Sequence, residues 1–199
     1  MHGLYAQSAA PPDVLKAAND GFTTFLMSAV TEDTKTIIGF SANDDLSAAV
    51  LGTPFKLYVL PDDSVINYNG KAALHSIVVE SDMWYFPIMI NDTVKMMLYV
   101  GTKGGAWRRA GLGSAGLARE LQCLMTQYSP EKGYTPLLVQ QRNTGSYFFN
   151  IPQVDAYNLT EAFSGPAHAD PRRYAALKEL KTTITELQKR KGTLQCPGW

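Results

Sequence analysis

The residues best suited to chemistry stand together after a predicted strand: Arg108, Arg109 and the hexad Gly111-Leu112-Gly113-Ser114-Ala115-Gly116. The hexad has the Gly-x-Gly-x-x-Gly spacing with which a strand-to-helix turn brings backbone amides close to a pyrophosphate. Its surroundings do not fit a dinucleotide fold. A first Rossmann strand is almost continuously apolar, whereas Ala106-Trp107-Arg108-Arg109-Ala110 is charged and emerges from a hairpin, with no βαβ pattern before it. A milder chemistry remains, in which Gly113, Ser114 and the free amides of the next helix hold a small anion beside Arg108 or Arg109. The simpler expectation is a tight turn made by the glycines, with Ser114 capping the helix. A serine-nucleophile elbow is excluded, because Leu112 fills a position that needs glycine.

Other reactive types form no constellation, so no catalytic residue is assigned and the chain reads as more a binder than an enzyme. His2, His75 and His168 have no evident partners, and His75 shares a predicted strand face with Ile77 and Val79. The acid pairs Asp44-Asp45 and Asp62-Asp63 suit caps and turns, since neighbouring residues on a strand point apart. No calcium-loop spacing occurs, and Cys123 and Cys196 lack the spacing of a zinc site, so no metal or cofactor is expected. Whether the two cysteines pair depends on the terminal tail folding back.

The elements that must position these residues are legible from periodicity. Val14, Leu15, Ala18, Phe22, Phe25, Leu26 and Ala29 form one face of an N-terminal helix. A short strand or extended link is expected over Thr34 to Phe40, a capped helix over Leu46 to Leu51, and strands over Phe55 to Leu60 and Ala73 to Glu80. Trp84, Phe86, Ile88 and Ile90 alternate into the turn Asn91-Asp92 and return through Val94, Met96, Leu98 and Val100, a hairpin with one apolar face. Pro87 lacks an amide proton and puts its strand at an edge or beside a bulge. Gly101 to Gly105 turn the chain into Ala106–Ala110, and a helix striped with Leu117, Leu121, Leu124, Met125 and Tyr128 follows. Leu137 to Gln141 and Tyr147 to Ile151 form a last hairpin.

These elements predict an α+β domain over residues 13–151, an antiparallel meander of six or seven strands covered by the N-terminal helix and the helix after the meander. Residues 1–12 read as a flexible leader, and 152–199 as a loop and C-terminal helical appendage packed on the domain or forming a homodimer seam through Tyr174, Leu177, Leu180, Ile184 and Leu187. The opposite face of the central hairpin carries Tyr85, Met89, Met97 and Tyr99, an aromatic and methionine surface suited to a peptide, protein or small ligand.

Composition bounds the partners. With 18 basic and 18 acidic side chains there is no net field to attract nucleic acid, and no apolar run is long enough for a transmembrane helix. The small, Pro-ended start resembles the spacer that follows a removed signal, so the expected location is extracytoplasmic, periplasmic or secreted. The leading expectation is therefore a non-catalytic exported binding domain. Its competitor is a hydrolase or transferase with an anion site at the Gly111–Gly116 corner.

Overall fold

The computed structural model describes residues 9–28, 30–61, 63–64, 74–141, 146–152 and 156–160. The fold is α+β, with two α-helices and eight strands among the described residues, and the chain divides into two compact units. One unit comprises Ser8–Lys56 and Asp82–Gln122, and the other the described parts of Leu57–Ser81 and Cys123–Trp199.

In the first unit, α1 (Pro12–Ser28) opens with proline in its first turn and Asp13 against the positive end of the helix. It buries Val14, Ala18 and Phe25 and leaves Leu15 on the outer flank of the stripe. The helix lies on β4 (Thr93–Lys103) and β5 (Ala106–Gly113). β3 (Val79–Ile90) pairs antiparallel with β4 around Asn91 and Asp92, whose φ values of 48° and 60° are those of a tight two-residue hairpin turn. Trp84, Phe86, Ile88, Ile90, Met96, Leu98 and Val100 join Val14, Ala18 and Phe25 in one core, as the period of two requires. The short β1 (Val50–Leu51) pairs with Met89 and Ile88. A register shift between Ile88 and Met89 leaves Lys95 without a partner on β3, so Pro87 stands beside a bulge, as its missing amide proton demands.

Two local expectations for this unit are corrected. Residues 32–39 are a run of turns rather than a strand or extended link, closed by Lys35 N–H to the Thr31 carbonyl (2.9 Å) and Phe40 N–H to the Lys35 carbonyl (2.9 Å). The Thr34 hydroxyl accepts the Thr31 N–H at 2.9 Å, a local side-chain bond that competes with an extended ladder. The helix expected over Leu46 to Leu51 is a single 3₁₀ turn, Leu46–Ala48, capped by Asp45, after which the chain enters β1.

The second unit carries the end of β2 (Phe55–Val59), β6 (Leu137–Gln141), β7 (Ser146–Ile151) and β8 (Ala156–Thr160). β2 and β6 run parallel, with Leu57 opposite Leu138, whereas β6-β7 and β7-β8 are antiparallel. The sheet is thus mostly antiparallel, as expected, but mixed, because the β2-β6 pair departs from the antiparallel meander. The parallel pair follows from a long connection between β2 and β6, which a hairpin could not supply. Leu57, Val59, Leu60, Leu138, Val139, Phe149 and Ile151 are buried here, and the buried Ser81 hydroxyl donates to the Leu57 carbonyl at 2.9 Å. The strand expected over Ala73 to Glu80 begins only at Val79, and Leu74–Ser76 form a 3₁₀ turn that includes His75. No element is expected over 152–170, yet β8 extends the sheet there. His2, His168, Cys196 and the expected C-terminal helix lie outside the described residues.

The glycine hexad also differs from its expected form. β5 continues through Gly111-Leu112-Gly113, and α2 (Ala115–Gln127) begins just after Ser114. Gly111 sits opposite Tyr99, and a Cβ there would lie 2.5 Å from Tyr99 Cε2. A Cβ at Gly113 would lie 3.3 Å from the Tyr99 hydroxyl, and Gly113 has φ 140°. The first two glycines therefore make room for an aromatic ring lying across the edge strand, and only Gly113 also serves the turn. Gly111→Ala is expected to lower stability by about 1–3 kcal/mol by forcing the ring to move. Urea denaturation of Gly111→Ala, Tyr99→Leu and the double variant checks this, the double variant losing less than the two singles together.

Candidate functional site

The corner between β5 and α2 faces a hollow of about 340 Å³, lined by Phe25, Ile37, Ile38, Gly39, Met96, Leu112, Gly113, Ser114 and Ala115. Each part has a local cause. Phe25 comes from the inward stripe of α1, Met96 follows the β4 bulge, and Leu112 stands on the core side of β5. Gly39, at φ 111°, turns the 32–39 segment so that Ile38 packs inward while Ile37 remains 81% exposed. Ser114 is held at φ 59°, and its carbonyl receives the Ala118 N–H at 2.9 Å, the first bond of α2. The site is an apolar recess with a serine and the start of a helix at its rim.

The segment over the hollow is held by an ion pair. The β4 bulge leaves Lys95 free of the ladder, and its ammonium meets Asp44 Oδ1 at 2.9 Å with the two side chains 16% and 11% exposed. Asp44 Oδ2 accepts the Ser41 N–H at 2.6 Å, and the buried Lys35 side chain reaches the Asp44 carbonyl at 3.4 Å and Glu32 at 2.6 Å. Burial alone would raise the Asp44 carboxyl, but the Lys95 hydrogen bond, the Ser41 amide and the charges of Lys95 and Lys35 outweigh it and hold the pKa below its ordinary value of 3.8. The sequence reads Asp44-Asp45 as capping; Asp45 does cap, and Asp44 is instead the anchor of the 31–45 segment.

The other candidate residues fall elsewhere. Tyr85 and Met97 are 2% and 0% exposed, and the half-buried Tyr99 ring lies 4.9 Å from that of Tyr85. Arg108 and Arg109 are exposed and line a different, open hollow of about 660 Å³ with Gly101, Thr102, Lys103, Gly104 and Ala110. Gly113 and Ser114 belong to the apolar recess. Arg109 stands opposite Val100 and packs its stem on Gly21 of α1, whereas Arg108 stands opposite Gly101 on the other face. Arginine and serine are thus distributed over two hollows. Phe25, Ile37, Ile38 and Met96 carry no motif and were missed as site residues; the solvent-facing Ile37 between threonines and Gly39 was the one signal in their spacing.

Among the described residues no group of His, Cys, Asp and Glu could hold a metal ion, and no helix is long and apolar enough to cross a membrane. Cys123 is disulfide-bonded, and the chain has two cysteines. No family model, curated protein or solved structure was found to match the chain.

The Asp44–Lys95 pair makes a pH prediction with a definite sign. A carboxyl whose folded pKa is depressed contributes stability that is complete above the unfolded value and lost as the pH falls through the folded one. Asp44→Asn is therefore expected to lower stability near neutral pH by about 1–3 kcal/mol and to flatten its decline below roughly pH 4. Denaturation midpoints of both proteins between neutral and acid pH check this; parallel curves would remove Asp44 from the account.

Proposed function

We propose that the protein is a non-catalytic, exported binding domain that takes the apolar part of a small ligand or peptide side chain into the recess between the 32–39 turns and the β5–α2 corner. The observation that carries this reading is Ile37, an exposed aliphatic side chain at the mouth of an otherwise apolar recess. Solvent exposure of an isoleucine is unfavourable, and covering it with ligand recovers about 1.5–3 kcal/mol. The Ser114 rim and the first amides of α2 supply a polar end suited to a carboxylate or other acceptor. Binding at the Tyr85 and Met97 face would require those buried side chains to open first, which disfavours that face as the entry point.

Octanoate is a suitable probe because it has an apolar tail and a carboxylate. Saturable amide shifts over residues 37–39 and 113–116 are expected in an NMR titration, with octanol binding the same place more weakly. Ile37→Asp should weaken the complex by roughly ten- to a hundredfold. The absence of saturable shifts at those residues with either probe would overturn the reading.

The export proposal draws on the Cys123 disulfide, since such bonds persist in oxidising compartments. Thiol titration of the unreduced, denatured protein from its native source should find no free thiol. Two free thiols there would count against export.

A further inference from the structure

We infer that the outer edge of β5 accepts an extended acidic peptide as an added strand, at a site separate from the apolar recess. Four observations meet there. First, β5 is the terminal strand of its sheet, and its outward amides and carbonyls have no strand partner among the described residues. Second, Lys103, Arg108 and Arg109 are exposed cations of β5 and the adjoining end of β4 that line one open hollow with Gly101 and Thr102, and no carboxylate contributes to its lining. None of these cations has an ion-pair partner among the described residues. In a chain with 18 basic and 18 acidic side chains, this is a local surplus rather than a general field.

The third observation gives the peptide its pattern. Arg108 and Arg109 lie on opposite faces of β5, the first opposite Gly101 and the second opposite Val100 with its stem on Gly21 of α1. An added strand also alternates its side chains between faces. Two adjacent acids in the peptide therefore reach one arginine each, and Lys103, on the same face as Arg108, reinforces one side. The fourth observation limits the length. The ladder between β4 and β5 skips Ala110, and the bulge interrupts regular pairing beyond Arg109, so the added strand pairs with residues 106–109.

Charges and a bulge on an edge normally discourage strand pairing. Here they discriminate. A neutral strand leaves two guanidinium groups partly desolvated without a partner, and a basic strand adds repulsion, whereas paired carboxylates satisfy both arginines through charge-assisted bonds. The edge that resists self-association is thereby selective for an acidic segment.

The test uses the full chain and the peptide acetyl-Thr-Val-Glu-Glu-Val-Thr-amide, with Gln-Gln and Lys-Lys versions and a version N-methylated at its central residues. The acidic peptide is expected to shift the amides of residues 106–109 and protect those that point outward, to leave residues 37–39 unchanged, and to bind more weakly as salt rises. Arg108→Glu and Arg109→Gln should each reduce affinity by about tenfold, with circular dichroism confirming that both variants fold. The Gln-Gln peptide should bind at least as weakly, and N-methylation should abolish binding. Equal affinity for the acidic and Lys-Lys peptides, equal affinity after N-methylation, or no shift at residues 106–109 would each overturn the inference. Octanoate should neither compete with the peptide nor shift the same amides, so the two sites stand or fall independently.

Discussion

The central constraint is that the β3–β4 hairpin is apolar on both faces. Along β3, Trp84, Phe86, Ile88 and Ile90 look one way and Tyr85 looks the other, and along β4 the same division separates Leu98 and Val100 from Met97. A strand of this kind cannot leave either side in water. On one side α1 supplies Val14, Ala18 and Phe25 to the core. On the other, Tyr85 and Tyr99 stack at 4.9 Å, and Gly111 and Gly113 yield the space that Tyr99 occupies. Burial on both faces is what converts a sequence resembling a phosphate-binding motif into a seat for an aromatic ring.

The bulges carry the second layer of organisation. Each removes one residue from the ladder and frees its neighbourhood for another task. The first releases Lys95 to Asp44, which anchors the turns that line the apolar recess. The second falls at Ala110, where β5 passes from its charged half to its glycine half. Consequently the edge strand presents cations at one end and an aromatic-packed corner at the other. These are different surfaces with different chemistry, although both lie on one strand of eight residues.

Much of the scaffold was legible in advance. Alternation over Trp84 to Val100 identified the hairpin, its turn and its buried face, and Pro87 marked the bulge beside it. The stripes of both helices were visible at spacings of three and four. Short segments were less legible. Thr36-Ile37-Ile38 favours extended structure by residue type, but a threonine hydroxyl and a glycine at φ 111° turn it instead. The β2-β6 pairing joins residues about eighty apart, and nothing local announces a parallel partner.

Local chemistry determined the elements with strong periodicity, the absence of a net charge, and the lack of a dinucleotide-binding context. It also determined that Gly111, Gly113 and Ser114 stand where a strand becomes a helix, because glycine and capping preferences act within a few residues. Tertiary structure decided what those residues are for. Tyr99 approaches Gly111 only across a ladder, Lys95 meets Asp44 only after a bulge, and Phe25, Ile37, Met96 and Leu112 surround a recess only when α1, the 32–39 turns and two strands have packed. A recess is made by the convergence of side chains distant in sequence, and convergence has no signature in the spacing of any single segment.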